Sequence, residues 1–160
     1  MPRDYFNPPV AAATGQNHKI SPQALMFERL ISELQSTLEE EVFFDDSDWP
    51  DGFDWMGEAE AVWEGLAEEA NLIAKFRTRR PEDRLLCRAA GVIHRAIQAG
   101  SPLELDTARE RLAVIADASA PGNVHFLLGE AQACLDQMAE RAAADDKKPP
   151  EADPGATFPL

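Results

Sequence analysis

Carboxylates interleaved with aromatic rings are the first side chains in this 160-residue chain whose types and spacing suggest chemistry. Between Glu39 and Glu60 ten acids are mixed with Phe43, Phe44, Trp49, Phe53 and Trp55. Aromatic side chains offer contact area at low entropic cost, and carboxylates steer a basic partner, so the segment reads as a docking surface. Its residues are Phe43, Phe44, Asp45, Asp46, Asp48, Trp49, Asp51, Phe53, Asp54 and Trp55, extended by Glu60, Glu64 and Glu68, which recur at i, i+4 and therefore stack on one helix face. The competing expectation is that the rings fold inward over one end of a helical core while the acids are solvated.

A second constellation is Arg88 with His94. The pair resembles the Arg-x(4–6)-His pattern of helical HEPN-type ribonucleases, which implies a histidine acting as general base and an arginine binding phosphate; the polar residue often found after that arginine is here Ala89. This makes a helical ribonuclease or hydrolase the alternative function. Metal chemistry finds no support: His18, His94 and His125 lie far apart, Cys87 and Cys134 have no neighbouring cysteine, and no Glu-x-x-His occurs. Aligning Gly52 with the glycine of a calcium loop puts Ser47 and Trp49 at ligand positions, and an indole has no oxygen to offer. Trp63-x-x-Leu66 resembles the opening of a tetratricopeptide repeat, but Ala67 and Ala70 replace the glycine and tyrosine, and nothing similar follows. No glycine-rich phosphate loop and no Gly-x-Ser-x-Gly is present. The expectation is a non-enzyme with neither metal nor cofactor.

Charge is segregated along the chain. Residues 30–74 carry 14 acids and no base, whereas the remaining 115 residues hold 15 acids and 15 bases. Immediately afterwards, residues 75–95 stand at +5, with Lys75, Arg77, Arg79, Arg80, Arg84, Arg88 and Arg95 against Glu82 and Asp83. The arginines at 84, 88 and 95 fall on one side of a helix and are expected to neutralise the glutamate stripe of the helix before it, at ~0–1 kcal/mol per exposed pair. Seven bases still leave half of the fourteen acids unmatched. A net charge of -14 repels phosphate, so direct nucleic-acid binding is not expected.

The elements that position these residues are helices. Ser21 before Pro22 is a start signal, with Ile20 and Leu25 spaced for a hydrophobic staple, and Phe27, Leu30, Ile31, Leu34 and Leu38 form the inward stripe of a helix running to about Glu41. Residues 42–57 break the period around Pro50-Asp51-Gly52 and read as an acidic-aromatic loop. A second helix from about Glu58 to Arg79 turns Ala59, Val62, Leu66, Ala70, Ile73 and Phe76 inward, and Pro81 opens a third, which buries Leu85, Leu86, Ala89, Ile93, Ala96 and Ile97 and is capped by Gly100. Ser101-Pro102-Leu103-Glu104 is a capping box that opens a fourth helix with Leu105, Ala108, Leu112 and Ile115 inward. Pro121-Gly122-Asn123 starts a fifth, whose Val124, Leu128, Ala131, Leu135, Met138 and Ala142 alternate steps of four and three, as near-antiparallel packing requires.

The sequence therefore predicts an all-α protein. Residues 1–19 form a flexible arm, 20–145 a single bundle of about five helices, and 146–160 a disordered tail. No run approaches the ~18 apolar residues of a membrane span, and with no secretory signal the expected compartment is the cytoplasm, with both cysteines reduced. The leading functional expectation is an acidic interaction or regulatory module that binds a basic protein partner, in an inhibitor, immunity, nucleic-acid-mimic or chaperone-like role. Self-association through surplus apolar helix surface is a third possibility. The leading reading fails if the rings are sunk in the bundle and the glutamates are matched by the arginines of the following helix.

Overall fold

In the computed structural model, which describes residues 20–45 and 55–147, every regular element is a helix: α1 (Pro22–Asp45), α2 (Trp55–Ala74), α3 (Pro81–Ile97), α4 (Pro102–Asp117) and α5 (Asn123–Lys147). Consecutive helices run in opposite directions. Glu41 of α1 meets Trp63 of α2, Ala67 of α2 meets His94 of α3, and Arg109 of α4 meets Asp136 of α5, whereas α1 and α5 run parallel, joined by Gln35 to Glu130 and Glu41 to Arg141. The result is an up-down-up-down-up bundle in which α3 touches all four other helices. No helix among the described residues is long and apolar enough to cross a membrane.

The core is made by the helical stripes read from the sequence. Phe27, Leu30, Ile31, Leu34 and Leu38 of α1 are buried, as are Leu66, Ala70 and Ile73 of α2, Leu86, Ala89, Ile93 and Ala96 of α3, Leu105, Ala108, Leu112 and Ile115 of α4, and Val124, Leu128, Ala131 and Leu135 of α5. Two positions depart from that reading. Val62 of α2 is 45 % exposed, because α2 turns Leu66 and Ile73 to the core and leaves this flank open beside α1, and Phe76 is 42 % exposed because it falls past the end of α2, in the connection to α3.

Caps define most boundaries. The Ser21 hydroxyl accepts the Ala24 amide at 3.0 Å, closing the start of α1. Ser101 accepts the Glu104 amide at 3.2 Å, and the Glu104 carboxylate reaches back to the Gly100 amide at 2.6 Å, one residue earlier than the usual capping box. Gly100 is therefore tied to the start of α4 and is not the cap of α3, which ends at Gln98 in a tightened turn. Gly122, at φ +148°, takes a conformation that side chains disfavour and offers its carbonyl to the Phe126 amide, opening α5.

The acidic-aromatic loop is shorter than expected. Helix α1 continues through Val42, Phe43, Phe44 and Asp45, and α2 already begins at Trp55, since neither flank contains a residue that breaks the hydrogen-bond ladder before Pro50. Helix α2 also stops earlier, at Ala74. Residues 75–80 reverse the chain, and the extended backbone of Arg80 before Pro81 is the conformation that a following proline imposes. Helix α5 runs to Lys147, two residues past the expected end of the domain. The arm at 1–19, the loop residues 46–54 and the tail from 148 lie outside the described residues.

Candidate functional site

Helix α2 is the centre of the acidic surface. Its core side is held by Leu66, Ala70 and Ile73, which leaves Glu60, Glu64 and Glu68 exposed on the outer face. Helix α3 packs alongside in the opposite direction, with Arg84, Arg88 and Arg95 also exposed. The expected neutralisation between the two stripes does not occur: among the described residues no ion pair joins an α2 glutamate to an α3 arginine. Glu60 and Glu64 line the groove between the two helices, but Arg84, Arg88 and Arg95 do not.

Two grooves flank α2. On the α3 side, Gly57, Glu60, Ala61, Trp63, Glu64, Ala67, Ile97 and Gln98 line a groove of about 550 Å³, which joins two of the predicted acids to an indole and an apolar floor. The indole is fixed from behind. Trp63 Nε1–H donates to Glu41 at 2.5 Å, and Glu41 also meets Arg141 of α5 at 3.5 Å. Trp63 therefore links three helices, and Glu41, an acid of the base-free block, finds its countercharge on α5.

On the α1 side, Ser32, Glu33, Ser36, Glu40, Val62, Gly65 and Glu69 are among the residues lining a groove of about 460 Å³. The Glu69 carboxyl is pushed up to about 7, first by burial and then by its hydrogen bond to, and repulsion from, Glu33, while Arg29 pulls the other way. The raised value favours the protonated Glu69 carboxyl, which can donate to Glu33. The exposed apolar side chains Leu25, Val62 and Leu72 lie on α1 and α2, and Phe76 follows the end of α2.

Of the thirteen predicted surface residues, Glu60, Glu64 and Glu68 share the outer face of α2, and Phe43 is 62 % exposed near the end of α1. Phe44 and Asp45 lie in the last turn of α1 and Trp55 opens α2, but their side chains are outside the described set, as are Asp46, Asp48, Trp49, Asp51, Phe53 and Asp54 altogether. Sequence reasoning did not select Trp63, Glu33, Glu69 or Gln98. The i, i+4 relation of Glu60 to Glu64 was a signal for the first wall of the groove, whereas Ile97 and Gln98 join it only through the packing of α3.

The nuclease-like pair, Arg88 and His94, lies on α3. His94 is half-buried with Nδ1 2.9 Å from the Ala67 carbonyl, so the ring N–H donates to α2 and helps fasten the α2–α3 seam. Neither His94 nor Arg88 lines the α1–α2, α2–α3, α3–α4 or α4–α5 groove. A serine-histidine contact that the sequence did not suggest, Ser119 Oγ to His125 Nδ1 at 2.7 Å, joins the α4–α5 connection to α5. The Ser119 hydroxyl donates to the Ala116 carbonyl at 2.6 Å, so its proton is directed away from the imidazole. Among the described residues no group of three or more His, Cys, Asp or Glu side chains is placed to hold a metal ion. Burial pushes the Cys134 thiol up to about 11, aided by the charge of Glu130, and raises the Cys87 thiol beside Asp83, which suppresses nucleophilic chemistry at both.

No protein-family model, curated protein or solved structure matches this chain.

Proposed function

We propose that this protein is a non-enzymatic interaction module whose outer α2 face, together with the acidic-aromatic segment leading into it, engages a basic surface of another protein. The observation that carries this reading is the glutamate stripe at 60, 64 and 68, which makes no ion pair among the described residues although an arginine-bearing helix packs beside it. Like charges at i, i+4 cost a helix a few tenths of a kcal/mol per pair, so the stripe is a small liability to the fold, and a partner's lysines or arginines would relieve it. The Trp63 groove adds a fixed aromatic surface beside the carboxylates, the combination that suits a guanidinium or ammonium group. An inhibitor, immunity, nucleic-acid-mimic or chaperone-like role is compatible with such a surface.

The test is affinity capture from the protein's own cell extract at low and high salt, with wild type beside a Glu60→Gln, Glu64→Gln, Glu68→Gln variant. The expected result is a basic protein retained by wild type at low salt, released at high salt and not retained by the variant. Recovery of no salt-sensitive basic partner, or equal recovery by the variant, overturns the proposal.

A further inference from the structure

The groove between α3 and α4 has the opposite character from the α2 face. It encloses about 420 Å³ and is lined by Val92, Arg95 and Gln98 of α3 and by Leu103, Glu104, Thr107, Ala108 and Arg111 of α4. We propose that this groove is a second docking site, which takes an acidic amphipathic helix of a partner protein.

Two guanidinium groups, one from each wall, stand at this groove, and neither makes an ion pair among the described residues. The arginines at 29, 80, 109 and 141 find carboxylates, whereas Arg95 and Arg111, like the exposed arginines at 77, 79, 84 and 88, do not among the described residues; what sets these two apart is that they face each other across an apolar groove. The one carboxylate lining the groove is already committed, since Glu104 accepts the Gly100 amide at the start of α4. Thr107 likewise turns its hydroxyl to the Leu103 carbonyl at 2.9 Å. The remaining lining is apolar: Val92 and Ala108 are buried, and Leu103, 75 % exposed, is left without cover.

Cationic sides over an apolar floor set the chemistry of the occupant. Leu103 to Arg111 spans about 12 Å along α4, or two helical turns, enough for a helix presenting apolar anchors at i, i+3/i+4 and i+7 with carboxylates on either side. A polyphosphate backbone would leave Leu103 uncovered and would meet the repulsion of a chain at -14, so a protein segment is the better fit. Long-range repulsion of an acidic segment is screened beyond ~8 Å at physiological salt, whereas contact with Arg95 and Arg111 is not. This site is independent of the one proposed on α2, and it would give the module two faces of opposite charge.

The probe is a fluorescein-labelled synthetic helix of about 18 residues, five turns, with leucines at the i, i+3, i+4, i+7 positions and glutamates elsewhere. A scrambled peptide of the same composition and an oligouridylate of equal charge serve as comparisons. Anisotropy with the full chain is expected to show saturable binding, with amide shifts at Val92, Leu103, Thr107 and Ala108. Affinity should fall at least ~10-fold in an Arg95→Glu, Arg111→Glu variant that keeps its helical circular dichroism. An Arg77→Glu, Arg79→Glu variant, with the same change in net charge but in the exposed α2–α3 connection, should stay within ~2-fold, as should the α2 glutamine variant. Absence of saturable binding, equal binding of the scrambled peptide or of the oligouridylate, or an equal loss in the Arg77, Arg79 variant overturns the proposal.

Discussion

Ser21 and Asp83, 62 residues apart in sequence, share a buried hydrogen bond of 2.7 Å that ties the start of α1 to the first turn of α3. The serine hydroxyl donates to Asp83 Oδ1 while accepting the Ala24 amide, so one side chain both caps its own helix and docks it onto another. The second Asp83 oxygen is buried without a hydrogen-bond partner and lies 3.9 Å from the Arg80 guanidinium. This junction carries more consequence than a cap alone.

Ser21→Ala is therefore expected to destabilise the protein by about 2–3 kcal/mol, combining a lost cap with a buried carboxylate oxygen deprived of its donor. Asp83→Ala should also destabilise. The double variant should cost less than the sum, since removing Asp83 removes the group that Ser21→Ala leaves stranded. Urea denaturation of the four proteins measures this, and strict additivity would show that the bond contributes nothing beyond the cap.

The Glu69 carboxyl provides a pH dependence of definite sign. Its folded value of about 7 lies above the ordinary 4.5, so the folded state holds the proton more tightly than the unfolded chain. Stability from this group declines as pH rises from about 4.5 through 7, opposite to a salt-bridged carboxylate. Glu69→Gln should leave stability nearly unchanged at the acid end of that window and raise it above pH 7, by less than about 1 kcal/mol because the side chain remains partly solvated. Thermal unfolding across this range tests the sign, and a gain confined to acid pH would refute it.

Replacing Glu60, Glu64 and Glu68 together by glutamine should stabilise the isolated protein by about 0.5 kcal/mol at low salt, through the loss of two like-charge pairs. The gain should vanish near 1 M salt, where charges are screened within ~3 Å. Destabilisation at low salt would mean that the stripe has an internal countercharge, contrary to the ion pairs observed.

Cys87 and Cys134 are both buried, with thiols raised by burial, so neither should react with an aromatic disulfide reagent in the folded protein at pH 8. Both should react once the chain is unfolded in guanidinium. Rapid labelling of one thiol under native conditions would report local opening, of α3 for Cys87 or of α5 for Cys134.

How much of this was legible in advance depended on the range of the interaction concerned. The helices, the inward stripes of α1, α4 and α5, the Ser21 and Ser101 caps and the base-free block from 30 to 74 follow from the amino-acid order, because a side chain three or four positions away decides them. What only the tertiary structure decided was partnership. It gave Glu41 to Arg141 and Trp63, bound His94 to Ala67, left Val62 on an open flank and Phe76 beyond the end of α2, and kept the stripes of α2 and α3 unpaired among the described residues although their charges alone would have joined them. The physical reason is that the helical period fixes which residues share a face of one helix. The rotation of each helix about its own axis, set by packing the whole core, fixes which faces meet.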